Sequence, residues 1–89
     1  MGTSNGINPN TMINYQLPMT SNIELSVYNQ LGHKVATLVS ERQHAGQHQV
    51  KWNAGHLPSG VYLYQLTANR TLAGVTDQYS QTRKMILIK

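Results

Sequence analysis

The sequence predicts an all-β domain, an antiparallel two-sheet sandwich of six or seven strands. Three observations carry that prediction. Apolar residues recur with a period of two, not the roughly 3.6 of a helix. The alternating segments are short, and clusters of Gly, Pro and Asn divide them at spacings of roughly ten to fifteen residues. No window of the chain sets its apolar residues along one helical face.

Taken in order, Ile13, Tyr15 and Leu17 alternate with Asn14 and Gln16, and Pro18 closes this first strand because it has no N–H to give a ladder. Ile23, Leu25 and Val27 form the apolar face of a second strand that ends at Tyr28. Asn29-Gln30-Leu31-Gly32 then supplies residues that tolerate positive φ, so a hairpin follows. Its return strand is expected over Lys34 to Val39, with Val35 and either Thr37-Val39 or Ala36-Leu38 facing inward. Periodicity leaves that phase open. Ser40 to Gly46 reads as a loop. Gln47 to Asn53 resumes the alternation with His48, Val50 and Trp52 on one face, which makes the single Trp a core anchor.

Ala54-Gly55-His56-Leu57-Pro58-Ser59-Gly60 breaks regular structure with two Gly and one Pro. Val61 to Ala68 follows as the richest strand, with Tyr62, Tyr64 and Leu66 on one face and Val61, Leu63 and Gln65 on the other. Both faces are expected to be covered. Asn69 to Ser80 is polar, and it fits either an extended hairpin, with a possible seventh strand near 71–79, or a long loop. Thr82 to Ile88 ends the chain as a strand whose run Met85-Ile86-Leu87-Ile88 suits enclosure on both faces.

The chain has 89 residues and no cysteine, so one core must hold it without disulfides or thiolate-bound metal. Met1 to Gly6 has neither the charged start nor the apolar stretch of an export signal. Residues 1–7 are therefore expected to be a flexible lead-in or a remnant of expression, with the domain over 8–89. The longest aliphatic run is four residues, Met85 to Ile88, too short to cross a bilayer, so no membrane insertion is expected.

Chemistry is sparsely supplied. Glu24, Glu41 and Asp77 are the only acids and lie in separate segments, which leaves no carboxylate pair for acid–base work. No nucleophile elbow or phosphate-cradling loop occurs, and the expectation is a non-enzyme without cofactors. His44 and His48 have helical spacing, but Gly46 lies between them in a strand context, so no metal site is expected. A net charge of +4 favours anionic partners, yet only Arg83 and Lys84 adjoin, and nucleic acid is not expected. Carbohydrate stacking on Trp52 is an alternative if that ring is exposed.

The order of motifs adds a resemblance. Asn8-Pro9-Asn10-Thr11-Met12-Ile13-Asn14-Tyr15-Gln16-Leu17-Pro18, Leu25 to Val39 and Ala45 to Asn53 are followed by Leu57-Pro58-Ser59-Gly60-Val61-Tyr62-Leu63-Tyr64-Gln65-Leu66 and Lys84-Met85-Ile86-Leu87-Ile88-Lys89. Together these blocks resemble the C-terminal sorting domain of type IX secretion cargo, over about residues 8–89. The penultimate block resembles that family's Pro-x-Gly-x-Tyr motif and the last its terminal lysine-and-aliphatic motif. Asn69 to Gln81 is longer than the hairpin expected there. The strand order also resembles the Ig-like module of flagellar hook-capping proteins.

The resemblance implies an immunoglobulin-like sandwich that labels a larger N-terminal passenger for export through the outer membrane to the cell surface. It implies the outer-membrane secretion machinery as partner, a sortase-like peptidase that removes the label, and either anchoring or release of the parent. Gly60, Tyr62, Lys84 and Lys89 are the recognition residues it brings. Individually they also read as a turn glycine, a core tyrosine and solvated strand ends. An exposed terminal strand further allows self-association through its edge.

Overall fold

The computed structural model describes residues 10–88, which form six strands: β1 (Asn10–Leu17), β2 (Ser21–Tyr28), β3 (Lys34–Gln43), β4 (Gly46–Asn53), β5 (Gly60–Leu72) and β6 (Val75–Leu87). β1 and β4 make a two-stranded sheet, and the other four make a second in the order β3-β2-β5-β6. Every pairing is antiparallel. The two sheets enclose one core, consistent with the immunoglobulin-like sandwich. Residues 1–7 and Lys89 lie outside the described residues.

Alternation dictates which side chains enter that core. Ile13, Tyr15 and Leu17 come from β1, Trp52 from β4, Ile23, Leu25 and Val27 from β2, Tyr62, Leu66 and Ala68 from β5, and Met85 and Leu87 from β6. Leu25 and Val27 are wholly buried, and each such side chain contributes about 1.5–3 kcal/mol of transfer free energy. Phe is absent, so the aromatic share of the core falls to Tyr15, Trp52 and Tyr62.

The β2–β3 turn is held by Asn29. Its Oδ1 accepts the N–H groups of Leu31 and His33 at 2.9 and 3.0 Å, its own N–H donates to the His33 carbonyl, and Gly32 takes φ +85. Two bulges then interrupt β3. Register passes from Leu25↔Val39 to Ser26↔Thr37, and from Val27↔Ala36 to Tyr28↔Lys34, so that Leu38 and Val35 have no partner residue. Each bulge switches the face that points inward. Val35, Ala36, Leu38 and Val39 are consequently all half-buried against the core, and both phases left open by periodicity are used.

Three expectations need correction. Ser40 to Gln43 is strand rather than loop, because Ile23↔Glu41 and Ser21↔Gln43 continue the ladder. Polar side chains on an edge strand cost nothing there, since backbone pairing with β2 holds them. The possible seventh strand near 71–79 is absent, and of the two alternatives for Asn69 to Ser80 the extended hairpin holds: β5 and β6 run on as one ladder from Gly60↔Leu87 to Leu72↔Val75. Its two-residue turn, Ala73-Gly74, has φ +54 and +81, the signature of a type I′ turn. Finally, the terminal apolar run is not enclosed on both faces. Met85 and Leu87 are buried, whereas Ile86 and Ile88 are each 44% exposed, because β6 is the edge of the sheet and its outer face meets solvent. The outer face of β5 is likewise open at Leu63.

The long hairpin reaches past the two-stranded sheet, and the molecule measures 51 × 26 × 17 Å. Leu72 and Val75, at its tip, are 63% and 61% exposed. Arg70 and Asp77 face each other behind the tip, with Arg70 Nε 3.5 Å from the carboxylate, an ion contact without hydrogen-bond geometry.

Candidate functional site

The breaker segment after β4 is a folded turn. Asn53 Oδ1 accepts the Gly55 N–H at 3.0 Å, and the Leu57 N–H donates to the Ala54 carbonyl at 3.0 Å. Gly60 opens β5 with φ +157 and has free space where a side chain would stand, so backbone conformation rather than crowding favours glycine there. Two residues on, the Tyr62 ring is buried and meets Trp52 edge to face, with centroids 6.3 Å apart and planes at 73°. Its hydroxyl donates to the Pro58 carbonyl at 2.7 Å. Tyr62 thereby ties the Pro58-Ser59-Gly60 turn to the core.

Register joins the two terminal motifs into one ladder: Gly60 faces Leu87, Val61 faces Ile86, Tyr62 faces Met85 and Leu63 faces Lys84. Tyr62 and Met85 point inward, while Lys84 is exposed on the outer face beside Leu63 and Ile86. Gly60, Tyr62 and Lys84, singled out from sequence, thus fall within one short stretch of the β5–β6 hairpin. Two of the three have structural work in closing the turn. Lys89 lies outside the described residues. Among those residues no strand pairs with the outer edge of β6, nor with β1 beyond β4.

Beside these two edge strands a groove of about 550 Å³ opens between the sheets, lined on the β1–β4 side by Tyr15, Gln16, Gln47 and His48 and on the β6 side by Tyr79, Gln81 and Arg83. A second hollow of about 360 Å³ continues it toward the chain end, between Met12 and Ile13 on β1 and Arg83, Lys84 and Met85 on β6. β1 therefore begins at the end of the sandwich where β6 finishes. Tyr15 stacks on His48 with centroids 5.5 Å apart, and its hydroxyl donates to Gln43 Oε1 at 2.5 Å. Burial pushes the Tyr15 phenol up, the Gln43 hydrogen bond opposes this, and the Glu41 charge adds to the rise. Sequence reasoning noted the Arg83-Lys84 adjacency but not this groove, which exists only once β1 is laid over β6.

On the outer face Glu24 accepts from Lys34 Nζ at 2.6 Å and from the Ser26 hydroxyl at 2.7 Å. Those bonds hold the Glu24 carboxyl below its ordinary value, and the Glu24 hydrogen bond holds the Lys34 ammonium above its own. The histidines make no metal cluster: His48 Nε2 lies 2.7 Å from the His44 carbonyl, and no group of three or more His, Asp or Glu converges among the described residues. Trp52, 2% exposed, is a core residue and offers no platform to a sugar.

Fold and edge together define a small all-β module with an open edge strand. The chain belongs to the secretion system C-terminal sorting domain family, whose model matches residues 7–88. Members are type IX sorting signals attached to a larger parent protein, which they mark for passage through the outer membrane to the cell surface or beyond, in contact with the secretion machinery. No curated protein and no solved structure matches the chain.

Proposed function

We propose that this domain, over residues 8–89, is a non-catalytic address whose legible part is the terminal half of the β5–β6 hairpin. The observation that carries the reading is the register: Gly60↔Leu87 through Leu63↔Lys84 unites two sequence blocks into a single edge ladder. An edge strand offers unpaired N–H and C=O groups at fixed spacing, which is what strand addition by a receptor requires. Lys84 and Lys89 flank the apolar run and contribute charge to the encounter, while Gly60 and Tyr62 position the ladder. After export, a sortase-like peptidase on the cell surface separates the label from its passenger. The same open edge supports self-association of the free domain.

The role is tested by fusing residues 8–89 to a reporter with its own inner-membrane export signal, in a host that has the type IX apparatus. Surface or medium reporter is the expected outcome; retention in the periplasm with the domain folded refutes it. Paired Lys84→Gln and Lys89→Gln fusions are expected to export less at unchanged stability.

A further inference from the structure

We infer that the groove between β1 and β6 is a docking site for an extended, acidic peptide segment of the receptor, with Arg83 as its anchor. This deepens the address reading and rests on it. Three observations converge on the groove. Two of the strands that line it, β1 and β6, are edge strands with no further partner among the described residues, so a strand laid along β6 beside the groove gains main-chain hydrogen bonds. Arg83 lines both the larger groove and the hollow beyond it, Lys84 lines the second, and no Asp or Glu lines either. Among the described residues neither cation forms an ion pair, whereas Lys34 and Arg70 each have a carboxylate nearby.

The phase of β6 makes the proposal specific. Arg83 is opposite Tyr64 in the inward phase and Lys84 opposite Leu63 in the outward phase. A strand added along β6 also alternates, so two consecutive acidic residues would send one carboxylate to each cation. Arg83 presents a planar fork that a carboxylate can bind with two parallel hydrogen bonds, in a cleft with the rings of Tyr15 and Tyr79 on its walls. A cationic or neutral strand would satisfy the backbone but leave this charge unanswered.

The test uses a labelled peptide, Thr-Val-Thr-Glu-Glu-Thr-Val-Thr, and its Gln-Gln counterpart, titrated against the full 89-residue chain by fluorescence anisotropy. Amide shifts are mapped in parallel. The acidic peptide is expected to bind with shifts confined to β1 and β6, to weaken as salt rises, and to lose about tenfold in affinity with Arg83→Gln while Arg83→Lys keeps most of it. Equal binding of the Gln-Gln peptide, shifts along β3 instead, concentration-dependent self-association that the peptide does not compete with, or no binding would overturn the inference. Fusions separate it from the address reading. Wild-type export with loss in Arg83→Gln supports the groove, and wild-type export unaffected by Arg83→Gln overturns the groove alone. A wild-type fusion held in the periplasm counts against the address reading on which the groove depends.

Discussion

Replacing Tyr62 by Phe removes one oxygen and nothing else. The ring remains packed edge to face on Trp52, and the lost element is the 2.7 Å bond from the hydroxyl to the Pro58 carbonyl. Pro58 is exposed, so its carbonyl can be rehydrated and the cost stays near the net worth of a single hydrogen bond, about 1 kcal/mol. In a domain of this size that corresponds to a fall in Tm of about 4–8 °C. Urea unfolding followed through Trp52 fluorescence measures it, with the slope against urea unchanged. An unaltered midpoint would refute the assignment of Tyr62 as the tie that closes the turn. A loss above about 3 kcal/mol would refute the assumption that the ring stays in place, since that is the cost of deleting an aromatic side chain outright. Export sharpens the reading. If Tyr62 positions the ladder and is not itself touched by the receptor, the Tyr62→Phe fusion exports in proportion to its folded fraction.

Other perturbations probe other parts of the fold. Ala73 sits at φ +54, so Ala73→Asn should raise Tm by the equivalent of about 0.5–1 kcal/mol, read by calorimetry. Leu66→Ala opens a cavity between the sheets and should cost about 2–5 kcal/mol in the same urea assay. For pH, the Glu24 carboxyl is held below its unfolded value, so its contribution is present above that value and is lost as pH falls through the lower folded one; Lys34→Met should flatten that part of the acid limb of stability against pH. Lys34 runs the other way, contributing fully below its unfolded value and fading as pH rises through the higher folded one.

Strands whose two faces differ were plain in the sequence. Ile13-Asn14-Tyr15-Gln16-Leu17 and His48-Gln49-Val50-Lys51-Trp52 alternate because one side meets the core and the other water, and the structure follows them. Strands with both faces wet carry no such mark. Ser40 to Gln43 and Val75 to Gln81 are held by ladder hydrogen bonds, which any residue but proline can make, so their polar composition resembled loop. The aliphatic run Met85 to Ile88 misled in the opposite sense, since hydrophobicity alone does not tell an enclosed strand from an edge strand with a greasy outer face. Gly60, Tyr62 and Lys84 are singled out only through the resemblance of their blocks to the sorting-domain family. Arg83 and its groove were not legible there, because 57 residues separate β1 from β6 in sequence and the two meet only through tertiary packing.

The shared end of β1 and β6 has a mechanical consequence. A tug between the passenger, tethered before Asn10, and a terminus held by its receptor acts across the strands instead of along them. Such a load loosens the β1–β4 sheet one rung at a time, from Asn10↔Asn53 inward, and never has to break all eight pairs together. The same load enters the four-stranded sheet at Gly60↔Leu87, but there the hairpin has thirteen pairs to peel against the eight of β1 and β4.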